Sequence, residues 1–274
     1  MELLAPSGSK EALVAAVQSG ADAVYLGGKM YGARANAANF SMEELAWVME
    51  YCRKYGVKVY VTVNTLIFDD EFEELFAYVD QLVDLHVDAL ILQDTGVAVA
   101  LRQRYPDLPL HASTQMHLHN VKQVEWAKSL GFTRVVAHIE ELREAGVTSL
   151  KVEGRMKRPE YVAQVVSSYR KQLDHALSKS ELKEEDKEMA QLFSRGFTPG
   201  YLFGALPKDV LNPKTNSHVG LLIGEVTGSD EKYIHLNLRE TLRQGDGIRL
   251  VKGDFEVGFT VNFLYQETRL VNQA

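Results

Sequence analysis

The feature that most constrains the fold is a repeated alternation of short strand-like runs with amphipathic segments. The runs are apolar or β-branched, and they lie at Leu3–Ala5, Ala23–Leu26, Lys58–Val63, Ala89–Leu92, Leu110–Ser113, Arg134–Ala137 and Ser149–Val152. Between most of them, apolar residues recur at helical spacing, as at Leu45, Val48, Met49 and Cys52. Strands and helices that alternate in this way predict a parallel sheet covered by helices.

Polar side chains follow these runs at one end. Asn64 comes after the third run, Gln93 and Asp94 come after the fourth, and the fifth contains His111 and leads to Gln115. The carboxyl ends of parallel strands meet at one rim, so this pattern favours an α/β fold of the (β/α)8, TIM-like barrel type with a site at that rim. For any single residue, turn formation or helix capping is the alternative.

A charged segment follows the seventh run. The strand stops at Glu153-Gly154, and Arg155 and Lys157 come before a helix that opens at Pro159. Together with Arg34, this segment would place two or three cations beside one carboxylate, which suits an anionic ligand held by arginine. The alternative is a solvated loop at the start of a helix.

One interval is too short for the pattern. Only 15 positions separate Arg134 from Ser149, and Ile139–Ala145 supplies about two helical turns, roughly 10 Å of rise. A barrel of eight therefore lacks one strand and part of a loop near Ala137-His138. Either the chain carries a deletion or the sequence omits residues, and we favour omission.

Composition narrows the class of protein. The chain is 46% apolar and 24% charged, which is ordinary for a soluble protein. It has no apolar run long enough to span a membrane and no leader-like start, so we expect a cytoplasmic protein without a membrane partner. The net charge of −7 argues against a broad nucleic-acid footprint and leaves room for a local basic patch.

Several kinds of chemistry lack support in the sequence. The single cysteine, Cys52, excludes an internal disulfide framework and a multi-cysteine metal site within this chain. His111, His117 and His119 lie close together without an HExxH pattern or a neighbouring carboxylate, so we predict no metal there. The GxSxG, P-loop and GxGxxG patterns are also missing, which disfavours serine hydrolase and nucleotide kinase chemistry.

The composition changes near the end of the chain. We predict a barrel domain over 1–178, a charged linker or exposed helix over 179–193, and a small all-β barrel domain over 194–274. The predicted strands of the last domain run over 221–226, 233–238, 247–251 and 259–263.

Several motifs in order resemble the peptidase U32 family, also called the collagenase-like peptidases. They are Leu3-Leu-Ala-Pro-Ser-Gly8, Gly20-Ala-Asp-Ala-Val-Tyr-Leu-Gly27, the loop from Arg34 to Phe40, Lys58-Val-Tyr-Val-Thr-Val-Asn64, Gln93-Asp94, His111-Ala-Ser-Thr-Gln115, Glu153-Gly-Arg-Met-Lys157 and Arg195-Gly-Phe-Thr-Pro-Gly-Tyr-Leu202. The resemblance covers most of the chain, and Glu153–Lys157 resembles the family's signature segment.

The resemblance implies a barrel followed by a small β-barrel domain, and an activity on which members differ. Some carry a peptidase label. Others look like oxygen-independent hydroxylases of a tRNA base, an rRNA base or a quinone precursor, with a 4Fe–4S cluster and prephenate as the hydroxyl source. Such members hold the cluster with four cysteines between the sixth strand and the signature segment. This chain is short there and lacks all four.

From the resemblance we therefore expect an iron–sulfur-dependent, oxygen-independent enzyme that hydroxylates an RNA base of tRNA or rRNA with a prephenate-like anionic cosubstrate, although the ligands of the expected 4Fe–4S cluster are absent from this sequence. A peptidase of unknown catalytic type and a non-catalytic RNA-binding module are the alternatives. The candidate catalytic residues are Glu153, Arg155 and His111. The candidate substrate-binding residues are Arg34, Asn64, Gln93, Asp94, Gln115 and Lys157.

Overall fold

The computed structural model describes residues 1–33, 39–118, 121–134, 149–154, 157–175, 177–194, 218–253, 255–267 and 269–274. Contacts within the chain divide it into two compact units, Met1–Leu192 and Phe193–Ala274. None of the helices in these ranges is long and apolar enough to cross a membrane.

The first unit contains a seven-stranded parallel sheet. Its strands are β1 (Glu2–Pro6), β2 (Ala23–Gly27), β3 (Lys58–Val63), β4 (Ala89–Leu92), β5 (Leu110–Ala112), β6 (Phe132–Arg134) and β7 (Ser149–Lys151). The order across the sheet is β6-β5-β4-β3-β2-β1-β7, and every neighbouring pair is parallel. The predicted parallel sheet is confirmed, although residues 135–137 of the sixth predicted run lie outside the described ranges.

Helices connect the strands as the alternation predicted. They are α1 (Lys10–Gln18), α2 (Met42–Lys54), α3 (Phe72–Asp84), α4 (Thr95–Arg104), α5 (Val121–Ser129), α6 (Pro159–Asp174) and α7 (Lys179–Leu192). Ser41 begins α2 with a capping box: its hydroxyl accepts from Glu44 N, and the Glu44 carboxylate accepts from Ser41 N. Helix α7 occupies the charged stretch, where Lys171 of α6 pairs with the buried Glu185 at 2.5 Å.

Side chains alternate across the sheet and bury both of its faces. Leu3, Val59 and Leu90 belong to the large cluster between sheet and helices. Their neighbours in sequence, Leu4, Tyr60 and Ile91, belong to a separate smaller cluster on the other face. The smaller cluster lies on the face that the curl of the sheet encloses.

The sheet curls until its two edges lie within reach of one side chain. The Arg134 guanidinium, on edge strand β6, contacts the Glu2 carboxylate of β1 and lies 3.4 Å from the Ser149 hydroxyl of the opposite edge strand β7. It also donates to Tyr60 Oη at 3.3 Å. The first unit is therefore a curled parallel half-barrel, with residues 135–148 between β6 and β7 outside the described ranges.

The second unit is antiparallel in its described residues. It contains the pairs β8 (Gly224–Ser229) with β9 (Ile234–Leu238), β10 (Gly247–Lys252) with β11 (Phe255–Thr260), and β12 (Leu264–Gln266) with β13 (Arg269–Val271). The predicted strand over 259–263 was placed too late. Lys252 pairs with Phe255, and Gly253 takes a φ of +58°, so the chain reverses directly after β10.

Candidate functional site

The predicted polar residues lie where the strands of the first unit end. Asn64 follows β3, Gln93 and Asp94 follow β4, and Gln115 lies in the 3-10 turn Thr114–Met116 after β5. Glu153 follows β7 in the same way. Because all these strands run parallel, their ends share one rim of the sheet. Arg34 and Arg155 lie outside the described residues, so their place at this rim stays a prediction.

Asn64 joins three segments of the rim. Its Nδ2 donates to Gln115 Oε1 at 2.7 Å and lies 3.4 Å from Ser113 Oγ. Its Oδ1 accepts from the backbone N of Ala33 at 3.2 Å. Asn64 and Gln115, both predicted to bind substrate, are thus in direct contact. The residue that precedes Arg34 is fixed to the same amide.

Asp94 uses its carboxylate to hold backbone groups. Oδ1 accepts from Val97 N at 3.1 Å and caps α4, while Oδ2 accepts from Ile67 N at 3.2 Å. Each oxygen satisfies an N–H group that would otherwise lack a partner at a helix start or loop. The geometry gives Asp94 a structural task, and its predicted part in substrate binding remains a prediction.

Replacing Asp94 with alanine is expected to lower the free energy of unfolding by about 1–3 kcal/mol, because both the cap of α4 and the anchor of Ile67 are lost. Urea denaturation of the variant measures this loss. The matched control is Asp84→Ala at the exposed end of α3, where a change within about 0.5 kcal/mol is expected. Equal effects from the two variants would contradict the capping role of Asp94.

Glu153 is held by two residues that the sequence did not single out. The Lys151 ammonium lies 2.8 Å from Glu153 Oε1, and the Tyr25 hydroxyl donates to Glu153 Oε2 at 3.0 Å. The same hydroxyl lies 3.1 Å from the carbonyl oxygen of Val152. Lys151 Nζ also lies 4.5 Å from the centre of the Tyr25 ring, a cation–π contact. The predicted catalytic carboxylate is therefore fixed from the interior of the half-barrel.

His111 lies inside the curled sheet, under the rim. It is 7% exposed, its ring packs edge-on against Tyr60 at 4.6 Å, and its Nδ1 has no hydrogen-bond partner among the described residues. Burial, with a smaller contribution from the positive charge of Arg134, lowers the pKa of His111 to about 4. His111 is therefore neutral near pH 7.

A cavity of about 10 Å³ connects the interior groups. It is lined by Leu4, Ile91, His111, Ala112, Arg134 and Lys151. This volume suits about one water molecule. His111 and Lys151 thus face one internal space.

Lys157 and Gln93 are the two remaining predicted site residues within the described ranges. The Lys157 ammonium lies 5.7 Å from the centre of the Tyr161 ring. The same ring leaves no room for a side chain at residue 154, because a Cβ on Gly154 would come within 2.9 Å of it. Gln93 is half-buried, and no hydrogen bond among the described residues joins it to another predicted site residue.

Sequence reasoning missed Lys151, Tyr25 and the Glu2–Arg134 pair. One signal was available: Lys151 is a charged residue inside a strand and lies two positions before Glu153, on the same face. A charge at such a position in a buried parallel strand predicts a partner inside the sheet. For Glu2 and Arg134, which lie far apart in the chain, no local pattern was available.

A curled parallel α/β sheet whose rim carries a lysine–carboxylate–tyrosine cluster is the layout of a barrel-type enzyme or binding protein. The family model of peptidase family U32 matches residues 8–138 and 135–212. The chain therefore belongs to peptidase family U32.

Two curated relatives carry names that refer to RNA. The chain is 29% identical to tRNA hydroxylation protein P1 of Bacillus subtilis, over 93% of this chain and 84% of that protein. It is 26% identical to the 23S rRNA 5-hydroxycytidine C2501 synthase of Escherichia coli, over 96% of this chain and 54% of that protein. A collagenase of Porphyromonas gingivalis is 36% identical over 46% of this chain and 30% of its own length.

A solved U32 peptidase has 17% identity and a TM-score of 0.44, over 50% of this chain and 57% of that one. A likeness at this level adds nothing to the fold described above.

The chain is shorter than the Bacillus relative within their alignment. The alignment with the Bacillus protein spans 362 positions, whereas 93% of this 274-residue chain is about 255 residues, so the relative alone occupies roughly 100 positions. The two matches to the family model meet at 135–138. This is the interval between β6 and β7 that the sequence marked as too short.

Proposed function

We propose that this chain takes part in hydroxylation of an RNA base and binds a small carboxylate cosubstrate, such as prephenate, at the rim of its half-barrel. The observation that carries the proposal is the rim cluster of a U32 chain, in which Glu153 lies between a lysine whose side chain is 9% exposed and a tyrosine hydroxyl. The names of the Bacillus and Escherichia relatives support RNA as the second substrate.

The proposed role of each site residue follows from the chemistry of its side chain. Lys151 supplies a positive charge at the rim. Arg34 and Arg155, whose place at the rim is a prediction, would bind a carboxylate with paired N–H donors. Asn64 fixes the backbone next to Arg34. Glu153 is the candidate acid–base group because its side chain is half-exposed at the rim. His111 is neutral near pH 7, so it would contact a ligand through hydrogen bonds and without a charge.

A 4Fe–4S cluster, which the family resemblance implies, does not fit the residues of this chain. Such a cluster needs four ligands of the cysteine type. The chain has one cysteine, Cys52, which is buried on α2 in the core between helices and sheet. Burial raises the pKa of its thiol to about 12, so it does not provide a thiolate near pH 7.

We also propose the finer architecture that the family resemblance implies. The half-barrel would belong to a (β/α)8 barrel with its eighth strand position between β6 and β7, where Arg134 spans the edges. The antiparallel pairs of the second unit would form a small β-barrel. RNA as a substrate supports a cytoplasmic location.

The test is nucleoside mass spectrometry of RNA from cells that lack the gene. We expect one hydroxylated nucleoside of tRNA or rRNA to disappear, to return with the wild-type gene, and to stay absent with Glu153→Gln. The control variant is Glu50→Gln, which removes a carboxylate paired with Lys54 on exposed α2 and should restore the nucleoside fully. RNA that is unchanged by the deletion would overturn the proposal.

Peptide cleavage assays distinguish the alternative function, a peptidase, from RNA hydroxylation. If purified wild-type protein cleaves gelatin-like peptides and Glu153→Gln does not, while RNA stays unchanged in the deletion strain, the chain is a peptidase. The collagenase relative is the observation that favours this second function.

A further inference from the structure

We infer that Glu153 occupies the place of a ligand carboxylate, and that the carboxylate site consists of the Lys151 ammonium and the Tyr25 hydroxyl. This inference rests on the proposed function in one respect only, that the rim receives a small acid. It assigns carboxylate binding to Lys151 and Tyr25, which the sequence pattern did not indicate. It also makes the Glu153 carboxylate the group that a ligand carboxylate displaces.

The two partners of the ion pair differ in exposure. The side chain of Lys151 is 9% exposed, whereas that of Glu153 is 54% exposed. Lys151 belongs to β7, which pairs with β1 along Glu2–Leu4, so its backbone cannot move without breaking the sheet. Glu153 follows the end of that strand. The carboxylate is thus the partner that can turn toward water, and the lysine is the partner that stays.

A largely shielded ammonium needs an acceptor, and Glu153 provides it to Lys151. Lys151 has three N–H donors. One faces Glu153 Oε1 and the ammonium lies over the Tyr25 ring, while the cavity shared with His111 lies on the inner side. A ligand carboxylate in the place of Glu153 would receive the same ammonium and the same Tyr25 hydroxyl.

The groups below the site point to the same class of ligand. His111 Nδ1 is buried without a partner among the residues that the structure describes, and His111 lines the cavity with Lys151 and Arg134. This set offers positive or neutral groups to the interior, because the pKa of His111 lies near 4 and Arg134 is charged. Glu2 lies farther in and is engaged by Arg134. A ligand with a carboxylate therefore fits, and a cationic ligand does not.

If a ligand carboxylate displaces Glu153, substitutions at Lys151 and at Glu153 should have opposite effects on carboxylate affinity. Lys151→Met should weaken carboxylate binding about ten-fold or more, because the charged donor is lost. Glu153→Gln should strengthen it about two- to five-fold, because the ligand no longer competes with a charged side chain. Tyr25→Phe should weaken it to a smaller extent while keeping the ring beneath the ammonium.

The experiment is isothermal titration of each purified full-length variant with prephenate and, separately, with succinate. The matched controls are Lys54→Met and Glu50→Gln, which alter an exposed pair with a distance of 2.7 Å and should leave both affinities unchanged. Circular dichroism checks that Lys151→Met is folded, and Tyr25→Phe tests the same site if it is not.

Each outcome decides the inference. Weaker binding by Lys151→Met together with tighter binding by Glu153→Gln supports it. Binding that weakens in Glu153→Gln, that is unchanged in Lys151→Met, or that is absent for both acids in every variant overturns it. If succinate binds with this pattern of weaker and tighter variants and prephenate does not bind, the carboxylate site is supported and prephenate is rejected as the cosubstrate. Loss or survival of RNA hydroxylation is measured separately in the deletion strain.

Discussion

Replacing Arg134 with methionine is expected to destabilise the first unit by about 3–5 kcal/mol, because it leaves the Glu2 carboxylate charged and poorly solvated inside the curled sheet. The side chains of Arg134 and Glu2 are 20% and 12% exposed. Glu2 also accepts hydrogen bonds from Tyr60 and Ser149, which carry no positive charge. The Lys58 ammonium lies 3.9 Å from Glu2, but its side chain is 57% exposed, so it compensates the carboxylate only weakly. Urea denaturation at pH 7, followed by circular dichroism, measures the change.

The difference in unfolding free energy between wild type and Arg134→Met should decrease as pH falls. Burial alone would raise the pKa of Glu2, but the hydrogen bonds from Arg134, Tyr60 and Ser149 and the charge of Arg134 lower it below its ordinary value. The pair therefore adds stability at neutral pH, which is lost as pH falls below the ordinary carboxyl range. In Arg134→Met, burial raises the pKa of Glu2, so acidification should reduce the difference from wild type.

A double-mutant cycle provides the control. Glu2→Gln combined with Arg134→Met should cost less than the sum of the single variants, with a coupling of about 0.5–3 kcal/mol. The control variant is Arg104→Met, which breaks an exposed pair with Asp80 and should cost about 1 kcal/mol or less. An Arg134→Met variant that is as stable as Arg104→Met would show that the curl does not depend on this arginine.

The stability of the first unit should fall as pH decreases from about 6.5 to about 4, by about 3 kcal/mol, because of His111. Its folded-state pKa of about 4 lies below the ordinary value of 6.5, and burial is the main cause. The unfolded chain therefore takes up a proton in this window before the folded protein does. Above the window His111 is neutral in both states, and the effect is absent.

His111→Gln should remove this component, so the difference in unfolding free energy between wild type and variant should change by about 3 kcal/mol between pH 7 and pH 4. Guanidinium denaturation at several pH values gives the slope. His175→Gln, at the exposed end of α6, is the control and should keep the wild-type slope. If the slope survives in His111→Gln, the histidine is not held neutral by burial.

The sequence predicted the sheet well because local patterns determine it. The strands predicted at Lys58–Val63 and Ala89–Leu92 have those bounds in the structure. Both consist mostly of apolar and β-branched residues, and every residue except Lys58 is buried, as expected for a parallel strand buried on both faces. Strand β11 was misplaced although Phe255, Val257 and Phe259 alternate with polar residues or glycine, because the prediction began the strand at Phe259 and overlooked the turn at Gly253.

The interior of the half-barrel could not be predicted in the same way. Arg134 reaches Glu2 only because the sheet curls, and no spacing along the chain records that closure. Asn64 and Gln115 were predicted at one rim, but their hydrogen bond depends on the stagger between β3 and β5. Lys151 was overlooked because it stands inside an apolar strand, where its partner is not apparent until its inward direction is known.

The most direct measurement of the central claim, that the strand ends form one carboxylate-binding rim, is a crystal structure of the chain with prephenate. We expect a prephenate carboxylate within hydrogen-bond distance of Lys151 Nζ and Tyr25 Oη, with Glu153 turned outward and Arg34 and Arg155 facing the same opening. An intact Lys151–Glu153 pair with prephenate bound elsewhere, or Arg34 and Arg155 on opposite sides of the sheet, would contradict it.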